Sequence, residues 1–288
     1  MFKTLRDAFK VKEIRMGLLF TFFVLIVIRF GSLIPVPGLN TVAIKEYLES
    51  ALGDANSFLS SFTGGSFTQM SIFALNVTPY ITSSIIIQLL TIAIPKLEEM
   101  QKEGEDGRKK LTALTRYVTV VLALIESTAM AVGFGRQGLL EEYNFVNCAI
   151  VVCTLTAGSA FLMWIGERIT EKGVGNGISI VLAVNIVSRI PSDMTTLYEN
   201  FIKGKTIAKG LLAGVIIVAI IVVMVVFVLI LNGAERRIPV QYSRKMVGRK
   251  MMGGQSTNIP LKVNTAGVIP IIFASSIMSF PVVIAQFA

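Results

Sequence analysis

The sequence predicts an all-α polytopic membrane protein, and three observations carry that prediction. Hydrophobic residues make up 53% of the chain and charged ones only 16%, whereas soluble globular chains sit near ~45–50% and ~25%. The apolar residues fall in long runs with at most one charge each. The basic residues gather between those runs. The mean hydropathy of +0.70 agrees. At ~20 residues per span, 288 residues hold several crossings and their loops, but no large soluble domain beside them.

Seven runs qualify as spans: residues 16–34, 77–94, 117–134, 145–165, 174–190, 207–231 and 265–288. Each is about long enough to cross ~30 Å of hydrocarbon at 1.5 Å per residue, the fifth only just. Residues 1–15 are polar and basic, with Phe2, Leu5 and Phe9 on one helical face. They predict a short amphipathic helix lying at the membrane surface. No cleavage-site pattern follows the first run, which is therefore a retained helix and not a removed signal peptide.

Residues 55–95 carry no charge, yet the two halves differ. The stretch 58–75 is rich in small and polar residues, among them Ser60, Ser61, Thr63, Gly64, Gly65, Ser66, Thr68, Gln69 and Ser71. The stretch 77–94 is richer in aliphatics. Either both cross, or the first is a re-entrant half-helix that lines protein or water. The positive-inside rule decides between them. With 58–75 not crossing and the N-terminus cytoplasmic, 20 of the 27 basic residues face the cytoplasm. They lie in 1–15, in 96–116, at Arg168 and Lys172, and in 232–264. If 58–75 crossed, the five basic residues of the N-terminus would face away from the other 15. The expected fold is thus seven transmembrane helices and one half-helix dipping in from outside. The cytoplasmic side carries a net +10 and the remainder −1.

Composition excludes several functions. There is no histidine, which removes Ser-His and Cys-His catalysis and His-ligated metals. The aspartates Asp7, Asp54, Asp106 and Asp193 all lie outside the apolar runs, so an intramembrane aspartyl pair is not expected. Cys148 and Cys153 form no CxxC and read as small buried apolar residues. Gly204-Lys205-Thr206 resembles the end of a P-loop, but Glu199 stands where its first glycine belongs. No catalytic residue, metal site or cofactor is expected.

Other residues carry more promise. Val77 and Ile81 share a helix face, as do Ile178 and Leu182; packing is the ordinary reading of both pairs. Thr78, Thr82, Ser83, Ser84, Gln88 and Thr91 make the second span too polar to face lipid alone. They read as interhelical glue or as a water-lined path. Glu126 lies mid-span, where an ionised group is costly and faces a bundle interior or cavity; Gln88 is its expected partner. Arg29 is expected to snorkel to the outer interface. Gly173-Val-Gly175-Asn-Gly177 reads as a tight turn with a close helix start. In 232–264, Ile238, Val240 and Tyr242 alternate, as do Ile259, Leu261 and Val263, flanking Gly253-Gly254. That pattern predicts an extended hairpin. Its net charge of +6 suits anionic lipid, an acidic protein or RNA phosphate.

In combination these motifs resemble the SecY family of protein-conducting channels. The residues that carry the resemblance begin with Ile34-Pro-Val-Pro-Gly38, Gly64-Gly65, Ser71-Ile-Phe-Ala-Leu75, Pro79-Tyr80-Ile81 and Ser84-Ile-Ile-Ile-Gln-Leu-Leu90. They continue with Lys102-Glu-Gly104, Gly107-Arg108, Trp164-Ile-Gly-Glu167, Gly175-Asn-Gly-Ile-Ser179 and Arg236-Arg237-Ile238. They end with Gln255-Ser-Thr257, Pro260-Leu-Lys-Val-Asn264, Ala266-Gly-Val-Ile-Pro270 and Phe273-Ala-Ser-Ser276. They run in family order along essentially the whole chain.

The resemblance implies ten spans in two halves of five. Residues 16–190 would then be the first half and 207–288 two helices of the second. The chain stops at Ala288 directly after an apolar run, as expected of part of a longer protein. Residues 58–75 would be the plug, with Phe62, Gly64, Gly65, Ser66, Phe67 and Ser71 in it. Val77, Ile81, Ile178, Leu182 and Ile272 would form the aliphatic pore ring. Thr82, Ser83, Gln88, Glu126, Ser276 and Phe280 would belong to the lateral gate, with Glu126 standing where a neutral polar residue is expected. Arg236, Arg237, Arg244, Lys245, Arg249 and Lys250 would dock the SecA motor ATPase and the ribosome. Small subunits of the SecE and SecG type, signal peptides, nascent chains and membrane lipids complete the implied partners. The implied location is the bacterial plasma membrane, with the N-terminus cytoplasmic. The rival reading from the residues alone is a small-solute secondary transporter with broken helices.

Overall fold

Gly17, Thr21, Val24 and Ile28 recur every three or four residues and form the buried stripe of the first helix, α1 (Lys12–Gly31). The remaining faces of α1 expose Leu19, Phe22, Phe23, Ile26 and Phe30, as a lipid-facing helix does. The structure is a computed structural model, and it describes residues 9–52, 63–201, 203, 207–240, 245–247, 250–252, 257–265, 267 and 274. It forms two compact units, Met1–Pro191 with Ile272–Ala288, and Ser192–Ile271.

In the first unit, α1 is followed by α2 (Thr41–Leu52), α3 (Thr78–Ala93), α4 (Pro95–Lys102), α5 (Glu105–Arg136) and α6 (Phe145–Lys172). Helix α7 (Gly177–Phe201) begins in this unit. α5 buries Thr115, Thr119, Ala123, Ser127 and Ala131, four residues apart. Such a stripe of small residues lets helix backbones approach closely in a membrane. α5 packs against both α3 and α6, and α1 packs on α6. Hydroxyls tie the contacts: Ser83 and Thr119 oxygens lie 2.6 Å apart, and those of Ser127 and Thr156 2.9 Å.

Ile94 ends α3 with an extended backbone (φ −112°, ψ 111°), the conformation that the following proline enforces. Pro95 then opens α4 at a position needing no N–H donor. The two helices meet at 103°. α3 has only 16 residues and is shorter than the span read from sequence, because that proline stops it.

Helix α7 starts where the glycine-rich turn predicts. Gly175 has φ +77°, and Asn176 Oδ1 accepts the amides of Ile178 (3.1 Å) and Ser179 (3.2 Å). A Cβ at Gly177 would collide with the Gly166 carbonyl oxygen of α6. Gly177→Val is therefore expected to cost at least ~1–3 kcal/mol, read as a lower thermal midpoint of the detergent-solubilised protein.

In the second unit, α8 (Ile207–Gly233) is apolar on every face and mostly exposed, the character of a membrane span. A ladder follows in which β1 (Glu235–Val240) pairs antiparallel with β4 (Thr257–Lys262). Beyond it β2 (Lys245–Val247) pairs with β3 (Lys250–Met252). The alternation in the sequence predicted this hairpin.

Among the described residues five helices are long and apolar enough to cross a membrane, α1, α5, α6, α7 and α8, and the bent α3–α4 pair meets the same length and composition when its two helices are taken together. The seventh expected span, 265–288, lies almost wholly outside the described residues, as do residues 1–8 of the amphipathic N-terminus. One expectation is corrected. Residues 58–75 were expected as one half-helix, but 64–77 is a run of tight turns. Gly64 (φ +66°), Gly65 (φ +85°), Met70 (φ +44°) and Asn76 (φ +52°) are all left-handed, and a right-handed helix cannot continue through such residues. Phe62 and 58–61 lie outside the described residues.

Candidate functional site

Four of the five aliphatic residues expected in a ring come together. Val77, from the N-cap of α3, is fully buried in an apolar cluster with Val24, Ile28, Phe73, Leu162, Ile165, Ile169 and Val181. Ile81, Ile178 and Leu182 are partly buried against that cluster. α7 approaches α6 at Gly166, whose position meets the Ile178 side chain directly. Small residues thus set how far the aliphatic side chains project. Ile272 lies outside the described residues.

Residues 63–77 lie against this cluster. Thr63, Ser66, Met70, Ser71, Phe73, Ala74, Leu75 and Asn76 are buried, and Phe67 packs on the neighbouring core. Backbone bonds staple the segment to the loop after α1: the Val36 amide donates to Met70 O (2.9 Å) and the Ile72 amide to Ile34 O (3.0 Å). A Cβ at Gly158 of α6 would strike the Ile72 carbonyl. Phe73 stacks on Phe161 at 6.0 Å. The small residues in this stretch are what let it fit between helices.

Its far end holds a pair that sequence reading missed. Asn185 Nδ2 of α7 donates to Asn76 Oδ1 at 3.1 Å, and Ser159 Oγ donates to the Asn76 carbonyl at 3.2 Å. Both asparagines are buried. A signal was available: Asn185 is an amide inside an otherwise apolar run, and such a group needs a partner.

The gate residues separate. Thr82 and Ser83 turn into the bundle, and Ser83 Oγ also lies 3.3 Å from the Thr115 carbonyl. For Ser83 the glue reading holds. Gln88 is exposed and does not pair with Glu126, which has no hydrogen bond or ion pair among the described residues. Ser276 and Phe280 lie outside them. Arg29 is half-buried in a groove with Phe22, Leu25, Ile26, Phe30, Leu33 and Val184, its Nη1 enclosed and without a described hydrogen-bond partner. Cys148 is partly buried and Cys153 exposed, so neither is the buried residue expected. Arg236 and Arg237 are exposed on β1, and Lys245 and Lys250 sit on the inner ladder. Arg244 and Arg249 lie outside the described residues.

An apolar cluster fed by four helices, with a turn-rich segment against it, defines the class as a polytopic helical membrane protein. A solved protein-conducting channel superposes with a TM-score of 0.64, covering 96% of this chain and 61% of that one at 19% identity. Sec61 in a canine ribosome–channel complex gives 0.62 at 18% identity, with 96% and 61% covered. Residues 71–288 match the SecY family. The protein translocase subunit SecY of Halalkalibacterium halodurans is 44% identical over 290 residues, which are 99% of this chain and 67% of that protein. That of Pseudomonas aeruginosa is 44% identical over 276 residues, 94% of this chain and 61% of its own length. The chain belongs to the SecY family. It spans about two thirds of the length of these relatives.

Proposed function

We propose that this chain supplies the larger part of a protein-conducting channel that threads unfolded secretory polypeptides outward and releases hydrophobic segments sideways into lipid. The gathering of Val77, Ile81, Ile178 and Leu182 in one apolar cluster beside residues 63–75 carries the reading. A constriction without hydrogen-bond partners dewets and blocks ions, and it grips no particular passing sequence. Residues 58–75 act as the plug, Val77, Ile81, Ile178, Leu182 and Ile272 as the pore ring, and Thr82, Gln88, Glu126, Ser276 and Phe280 as the gate. Ser83 fastens α3 to α5, so that these helices move as one gate half.

The channel is passive. SecA or a ribosome docked on 232–264 supplies the driving force, and small SecE- and SecG-type subunits clasp the helices. The distribution of basic residues supports a cytoplasmic N-terminus, and the bacterial relatives support a plasma-membrane location.

The test is cross-linking of a stalled secretory chain to photoreactive residues at Ile81 and Ile178 of the full-length channel. Cross-links at both are expected. Their absence, together with saturable binding of a small solute, would favour the transporter.

Glu126 provides a second check. Moving an ionised group into a membrane helix costs ~2.5–3.5 kcal/mol, so its charge favours the hydrated, open gate. Glu126→Gln is expected to slow export by about threefold or more, a fraction of that energy. Unchanged export would remove Glu126 from the gate.

A further inference from the structure

Residues 64–76 are held at both ends by one residue of α7. At the first end Gly64 lies so close that a Cβ there would sit 2.8 Å from the Asn185 carbonyl oxygen. At the other end Asn76 accepts the Asn185 side-chain amide at 3.1 Å. Asn185 is 4% exposed and Asn76 2%, with Val77 and Val181 fully buried beside them. An amide in such surroundings is costly unless paired.

The backbone explains why asparagine suits position 76. Its φ is +52°, in the left-handed region that asparagine tolerates and most side chains do not. Glycine would take the conformation freely but would offer no acceptor. Asn76 thus makes the turn and the bond together.

We propose that the Asn76–Asn185 pair is a latch that holds residues 64–76 against α7 and keeps the resting channel ion-tight. The inference rests on the reading of that segment as the plug. Departure of the segment breaks the amide bond and the Gly64 contact together, since both end on Asn185. In the vacated funnel water rehydrates both amides, so the bond is worth only its modest net value. A latch of that strength favours closure and still yields to an arriving chain.

The test uses the full-length channel with its partner subunits in proteoliposomes, reading resting halide leak and transport of a secretory precursor. N76G keeps the left-handed turn and removes the acceptor. N185A removes the donor. Each removes the Asn76–Asn185 bond, and each is expected to raise the leak about 5–30-fold. The double variant is expected to leak no more than the leakier single variant, because both remove one bond. Should N76G fail to accumulate in the membrane, N185A and N185L carry the same expectation.

Single variants as tight as the parent would overturn the latch, and so would additive leaks in the double variant. If the parent complex transports no precursor, the channel reading itself fails. A transporting parent whose variants stay tight refutes the latch alone.

Discussion

Exchanging Ile81 and Ile178 for asparagine in the full-length channel is expected to raise its resting ion leak by at least about tenfold. Placing a polar group in a dry constriction changes its free energy by ~1–3 kcal/mol per site, and tenfold corresponds to ~1.4 kcal/mol. Two sites in one ring act on the same barrier. The amides offer water the hydrogen-bond partners that isoleucine lacks, so the constriction wets and conducts. Ile81→Leu with Ile178→Val keeps the ring aliphatic and is expected to leave the leak at the parent level. Halide-sensitive dye in proteoliposomes reads both. Asparagine variants that seal like the parent would show that the constriction lies elsewhere. Gly166 enters the same argument, because the Ile178 side chain lies directly over it. A larger residue there would displace Ile178 without changing the chemistry of the ring.

The helices were legible because membrane spans announce themselves in long apolar runs with few charges. Helix lengths were less legible. α7 extends from Gly177 to Phe201, past the apolar run that ends at 190, because helix formation depends on backbone bonds and not on hydropathy. The aliphatic cluster was half legible. Periodicity paired Val77 with Ile81 and Ile178 with Leu182, but only the resemblance joined the pairs. What brings them together is a set of backbone contacts at Gly158, Gly166 and Gly177, and composition cannot show where a glycine meets another helix. The turns at 64–75, within the half-helix expected at 58–75, escaped the sequence reading for a related reason. Met70 and Asn76 are left-handed, and nothing in their neighbours' hydropathy marks that. The Asn76–Asn185 bond spans 109 positions in the chain, beyond the reach of any local pattern.

Reversing Arg236 and Arg237 to glutamate is expected to weaken docking of the cytosolic motor by on the order of 10–100-fold at low salt. Two reversals lower the net charge of residues 232–264 from +6 to +2, and like charges facing each other across an interface cost several kcal/mol. The two arginines lie on opposite faces of β1, since neighbouring strand residues alternate. Arg236 shares its face with Ile238, Ile259 and Leu261 through the ladder register. Arg237 shares the other with Pro239 and Pro260. The first face pairs a cation with exposed apolar side chains, Ile238 and Leu261 among them, and such a mixture recognises a protein better than a lipid headgroup. The second face carries prolines, which lack the N–H that an added strand would need. The prolines disfavour strand addition, and docking through side chains is the expected mode. The loss from charge reversal is expected to shrink as salt shortens the screening length from ~8 Å toward ~3 Å. A loss from Ile259→Ser with Leu261→Ser is expected to persist at high salt, because apolar burial is not screened. Surface plasmon resonance with the full-length channel in nanodiscs separates the two. Motor binding unchanged by the reversal, with weaker attachment to anionic vesicles, would assign the hairpin's charge to lipid and orientation alone.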